Sequence, residues 1–230
     1  MKLVLLPGMD GTGNLFADFV KALPHEFETV IVCYPADVFL SYPELMETVR
    51  LSIPDREPFV VVAESFSTPL AIQFAATPPA NLRGMVLCAG FATSPVKGWR
   101  RSLFSLLSPV LLRLPLPKPV IERMLVGSGA HPSLISSVRA AVGSVRSKVL
   151  LARLRAILEC DARTELSKIA LPILYLEAKQ DRLVSKSCLE EIRWITPRTT
   201  IAVVSGPHLI LQREPSQTAE VVARFVQGIA

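Results

Sequence analysis

Cysteine is scarce and shows no metal or redox pattern. The four residues, Cys33, Cys88, Cys160 and Cys188, contain no C-x-x-C pair. This argues against a zinc ribbon or a disulfide framework and leads us to expect buried, reduced thiols. Long apolar runs are missing as well. The richest stretch, 103–116, is interrupted by Ser105, Ser108, Pro109, Arg113 and Pro115, well short of the ~18 uninterrupted residues of a membrane span. At the start, Met1-Lys2 leads into Leu3–Leu6 before Pro7-Gly8 intervenes, less than the apolar core of about 7–15 residues in a secretory signal. The expectation is a cytoplasmic chain without a transmembrane segment. Charged residues make up only 20% of the 230, against 50% hydrophobic, which excludes intrinsic disorder. A net charge of +5, with no recognition motif, argues against a nucleic-acid binder.

Short apolar runs alternate with helical patterns. Strands are expected at Lys2–Leu6, Thr29–Cys33, Phe59–Ala63, Gly84–Cys88, Pro172–Glu177 and Thr200–Val204. Between them come helices over about Asn14–Ala22, Tyr42–Ser52, Phe66 to before Pro78 and Lys186–Trp194, with Pro215–Gln227 last. Apolar strands without polar alternation suit a sheet covered on both faces, and strand–helix alternation implies parallel strands. The alternation fails once, between Phe91 and Glu159, where prolines precede one long helical pattern from Ser133 to Leu158. We therefore expect a core of residues 1–92 and 160–230 and an inserted helical cap over 93–159.

The third strand ends in Ala63-Glu64-Ser65-Phe66-Ser67. Small residues two positions either side of a serine, at a strand-to-helix junction, mark a tight turn that raises the hydroxyl above the sheet edge. Ser65 is the preferred nucleophile and Ser67 its rival, with an ordinary helix cap as the plain alternative. A serine needs a base, and there are three histidines. His25 lies in an acidic loop and His131 in the insertion, whereas His208 follows the sixth strand, at the edge where open α/β sheets place their sites. Asp181, in the loop after the fifth strand, is the expected orienting acid, ahead of Glu177 and Asp161. The glycine-rich loop Gly8-Met9-Asp10-Gly11-Thr12-Gly13 lacks the Lys-Ser/Thr of a phosphate loop. It is better read as supplying the Met9 N–H to an oxyanion hole, with the Phe66 N–H as second donor.

In chain order, oxyanion loop, Ser65, Asp181 and His208, this constellation resembles the α/β-hydrolase fold family over nearly the whole chain. Pro7-Gly8 stands where many members have His-Gly, and Ala63 and Ser67 replace the flanking glycines. The resemblance implies a minimal six-stranded parallel sheet with helices on both faces and an inserted helical cap. The compact layout is most like the carboxylesterase branch, and within it the pimeloyl-carrier-protein methyl ester esterases. It implies a serine esterase acting on small esters with an apolar acyl group, without metal or cofactor, with an acyl-carrier-protein methyl ester or thioester hydrolase as the alternative. The expected pocket residues are Gly8, Phe91, Trp99, Phe104 and Leu107. A non-catalytic binding protein of the same fold is disfavoured, because every triad position is filled.

Charge is unevenly placed. Residues 95–158 hold eleven basic side chains (Arg153 among them) and one acid, Glu122, so this stretch of the cap carries +10 and the remainder of the chain −5. The expected cap has an apolar face over Ser65 and a basic face outward. That face is either simply solvated or meets an anionic partner, an acyl carrier protein or an anionic membrane surface, through residues such as Arg100, Arg101 and Arg113.

Overall fold

The computed structural model describes residues 1–98 and 117–229. Six strands form one parallel sheet: β1 (Lys2–Leu6), β2 (Glu28–Ile31), β3 (Phe59–Glu64), β4 (Leu82–Cys88), β5 (Ile173–Ala178) and β6 (Thr200–Val204), in the order β2-β1-β3-β4-β5-β6. Half of the strand ends coincide with the sequence expectation and the others differ by one or two residues: β3 and β4 gain residues where pairing with a neighbour continues, β2 starts one residue early and stops two residues early, and β5 is shifted by one residue. The chain runs from β1 out to β2 and then returns to the other side of β1. The switch point therefore falls between the carboxyl ends of β1 and β3, where such sheets open a crevice.

Residue parity decides the two layers. Val4, Leu6, Phe59, Val61 and Ala63 face one way, against α2 (Tyr42–Ser52), α3 (Thr68–Ala75), α7 (Arg163–Leu166) and α8 (Lys186–Ile195). Leu3, Leu5, Val60, Val62 and Val86 face the other, against α1 (Ala17–Ala22), α9 (Ile210–Arg213) and α10 (Pro215–Gly228). Each such Val, Leu or Phe side chain, fully withdrawn from water, stabilises by about 1.5–3 kcal/mol. Local signals agree with the packing. In α2 the Ser41 N–H donates to Glu44 Oε2 at 2.7 Å in a capping box, while Tyr42, Leu45 and Val49 fall on the buried stripe.

Between β4 and β5 the chain makes α4 (Lys118–Ile121), a wider turn over Glu122–Val126, α5 (Pro132–Gly143) and α6 (Ser147–Glu159). It leaves and returns at one place. Thr93 and Asp161 form an antiparallel bridge, and the Ala162 N–H donates to the Ala92 carbonyl at 2.8 Å. The single long helix expected from Ser133 to Leu158 is in fact two. Ser144 ends α5, and the Arg146 N–H turns away to the Ala36 carbonyl at 2.9 Å, so a contact with the sheet domain breaks an otherwise helical pattern. Cys33 is exposed, against the expectation of four buried thiols. It lies just beyond β2, on the sheet edge. Among the described residues, no helix is long and apolar enough to cross a membrane.

Candidate active site

β3 delivers Ser65 at its carboxyl end. Ser65 adopts φ 47°, a left-handed conformation that costs a non-glycine residue roughly 1–2 kcal/mol and is tolerated where the surroundings hold it. Here Thr68 Oγ1 donates to the Ser65 carbonyl at 2.8 Å and accepts from the Phe91 N–H at 3.0 Å. The turn is thereby tied to the loop after β4.

His208 is carried by the loop after β6, which is held against the inserted segment by the Leu209 N–H to Leu125 carbonyl bond (2.9 Å). Its Nε2 lies 2.9 Å from Ser65 Oγ and its Nδ1 2.7 Å from Asp181 Oδ2. Asp181 is itself fixed, because its Oδ1 accepts from the Leu183 and Val184 N–H groups at 2.7 and 2.9 Å. An ionised Asp181 demands the proton on Nδ1, which leaves Nε2 free to accept from the serine hydroxyl. Burial pulls the His208 pKa down. The Asp181 charge, its hydrogen bond and the Glu64 charge more than offset this, and the net shift is upward. These three side chains, with 143 positions separating Ser65 from His208 in sequence, meet at one point.

Ser65 and His208 open onto a cavity of about 220 Å³. Gly8, Met9 and Phe91 line it from the sheet domain, and Val138, Leu154 and Ile157 from α5 and α6. It is almost wholly apolar apart from Asp10 and the Ser65–His208 pair. Of the other expected pocket residues, Trp99, Phe104 and Leu107 lie outside the described residues, as do Arg100, Arg101 and Arg113. Met9 borders the cavity beside Ser65. Phe66 is buried under the turn, stacked on Tyr42 (centroids 5.1 Å apart), whose hydroxyl donates to the Phe66 carbonyl at 2.9 Å.

The rivals fall elsewhere. Ser67 is fully buried, with its hydroxyl between the Tyr34 hydroxyl (2.7 Å) and the Pro7 carbonyl. Asp161 pairs with Arg163 on the surface, and His131 Nδ1 lies 2.7 Å from Ser133 Oγ at the start of α5. Three residues beside the site went unmarked in the sequence reading. Glu64 and Asp10 are buried acids, and an acid closing an all-apolar strand was the available signal for Glu64. Arg153, counted with the outward basic face, is instead 1% exposed. It occupies a position on the buried stripe of α6 with Leu150 and Ile157, and that spacing outweighs its charge. Among the described residues no cluster of His, Cys, Asp or Glu could hold a metal ion.

The chain belongs to the serine aminopeptidase S33 family of α/β-hydrolases, whose model matches residues 37–226. It is similar to the pimeloyl-[acyl-carrier protein] methyl ester esterase of Xanthomonas oryzae pv. oryzae, at 26% identity over 99% of this chain and 95% of that one. Its fold is shared with a bromoperoxidase from Bacillus anthracis (TM-score 0.82, 14% identity, 98% of this chain and 91% of that chain). An esterase from Exiguobacterium antarcticum shares it too (TM-score 0.81, 16% identity, 99% and 92%).

Proposed function

We propose that the protein is a serine ester hydrolase acting on esters with an apolar acyl group. The observation that carries this reading is the Ser65 Oγ–His208 Nε2 contact of 2.9 Å on the wall of an apolar cavity. His208 takes the Ser65 proton as the hydroxyl attacks the ester carbonyl. Asp181 holds the imidazolium, and the Met9 and Phe66 N–H groups receive the oxyanion. His208 then protonates the leaving alcohol, and a water deprotonated by His208 releases the acid. The inserted segment, residues 93–159, acts as the cap that closes the acyl site. The test is turnover of p-nitrophenyl esters across acyl lengths. Ser65→Ala should abolish it, and full activity in that variant would overturn the assignment.

A second reading within the same chemistry is hydrolysis of a methyl ester on an acyl carrier protein. The similarity to a pimeloyl-[acyl-carrier protein] methyl ester esterase supports it. So do the exposed Arg123, Arg139, Arg146, Lys148 and Arg155 of the cap, which suit an acidic carrier. A cytoplasmic location accords with that substrate.

A further inference from the structure

Arg153 leaves α6 and runs into the sheet domain. Its Nη1 donates to the Met9 carbonyl at 2.9 Å and the Asp10 carbonyl at 2.8 Å, and its Nη2 to the Pro35 carbonyl at 2.8 Å. The guanidinium carbon lies 5.7 Å from the Tyr34 ring centroid and 6.0 Å from that of Phe66. One buried cation thus touches both residues assigned to the oxyanion hole, Met9 by a hydrogen bond and Phe66 across its ring face. The glycine loop is shaped around it. Gly11 has φ 70°, and a Cβ there would come within 2.6 Å of Arg153 Nη1.

Stability alone does not account for this arrangement. Burying a guanidinium is costly even when it is hydrogen-bonded, and an apolar side chain of similar volume fills such a space as well or better. Among the described residues no carboxylate lies within ion-pair distance of Arg153; the Asp10 side chain acts on it only through its charge. What a leucine could not supply is a planar set of donors that fixes two successive carbonyls of the glycine loop and a third, that of Pro35, from the loop that follows β2.

We propose that Arg153 is a positioning residue. From the cap helix it holds the Met9–Asp10 backbone and the Phe66 ring so that the two oxyanion N–H groups converge above Ser65. This rests on the serine-hydrolase reading above. It also makes the oxyanion hole dependent on the docked position of α6.

The test compares Arg153→Met and Arg153→Lys with the unmodified protein. It measures p-nitrophenyl ester kinetics, inhibition by a trifluoromethyl ketone, and labelling of Ser65 by a fluorophosphonate. Arg153→Met should lower kcat about 10–100-fold, with KM held within about twofold. The ketone, which forms an oxyanion, should lose affinity by the same factor. Arg153→Lys keeps the charge but not the planar donors, and should fall between the two. Guanidinium added to Arg153→Ala should restore part of kcat. Arg50→Met, which removes another arginine lying over a ring (Phe74, 5.9 Å), should leave turnover unchanged. If Arg153→Met does not fold, kcat and ketone affinity of Arg153→Lys carry the test. Unchanged kcat, or a lower melting temperature with ketone affinity intact, would reduce Arg153 to a structural staple and overturn the proposal. If the unmodified protein neither labels at Ser65 nor hydrolyses esters, the serine-hydrolase reading itself fails, a result distinct from a labelled enzyme indifferent to Arg153.

Discussion

Gln212 Nε2 lies 3.3 Å from Glu64 Oε2 in the core directly behind Ser65, and Glu64 Oε1 and Gln212 Oε1 are both buried without a donor. Two orphaned acceptors side by side favour a proton on the carboxyl group. Burial raises the Glu64 pKa from 4.5 to about 7; the Asp10 charge adds to this, and His208 and the Gln212 hydrogen bond oppose it. In the unfolded chain Glu64 ionises near 4.5, so between that pH and about 7 the folded state binds the extra proton. Stability from this group is complete below pH 4.5 and is lost as pH rises to about 7. Glu64→Gln removes the titration. It should therefore be more stable than the parent at pH 8, by on the order of 3 kcal/mol, with little difference at pH 5. Urea melts at the two pH values check this, and an equal effect at both would refute a buried, protonating Glu64.

The raised pKa of His208 sets the pH profile. The base must be neutral to accept the Ser65 proton, so kcat/KM for a p-nitrophenyl ester should rise with pH through a midpoint above 6.5. Asp181→Asn removes the largest of the contributions that together offset burial. The midpoint should move down, and the plateau should fall about 10²–10⁴-fold through loss of the correct tautomer. An unchanged midpoint would remove Asp181 as the orienting acid.

Ser67→Ala separates the two serines of the turn. Its hydroxyl bridges the buried Tyr34 hydroxyl and the Pro7 carbonyl, so the variant should lose roughly 1–3 kcal/mol of stability from stranded polar groups. Fluorophosphonate labelling should persist at Ser65. Loss of labelling with the fold intact would reverse the assignment.

Ionic strength tests the basic cap. If an acidic carrier docks there, kcat/KM for an acyl-carrier-protein methyl ester should fall as salt rises, since charges beyond ~10 Å are screened at 0.1 M. Turnover of a neutral p-nitrophenyl ester should stay level. Parallel salt responses for both substrates would separate the cap charge from carrier recognition.

Strand–helix alternation, the residues meeting at Ser65 and the interruption after β4 were legible in the chain, because each rests on short-range information. An apolar run, a small-x-Ser-x-small turn and a histidine just past a strand need only a few neighbouring residues to be read. Tertiary contact decided what local pattern could not. The bond from Arg146 to Ala36 split a helix that its own periodicity would have continued. β3 parity put Glu64 on the same buried face as Val60 and Val62, opposite Gln212. Counting charges adds side chains regardless of direction, so it placed Arg153 among the outward basic residues; packing of α6 drove it inward to the backbone of the glycine loop. The sequence by itself determined which chemistry was on offer. Only the packed structure decided which charges are withdrawn from water, because burial and the partners that compensate it come from segments far apart in the chain.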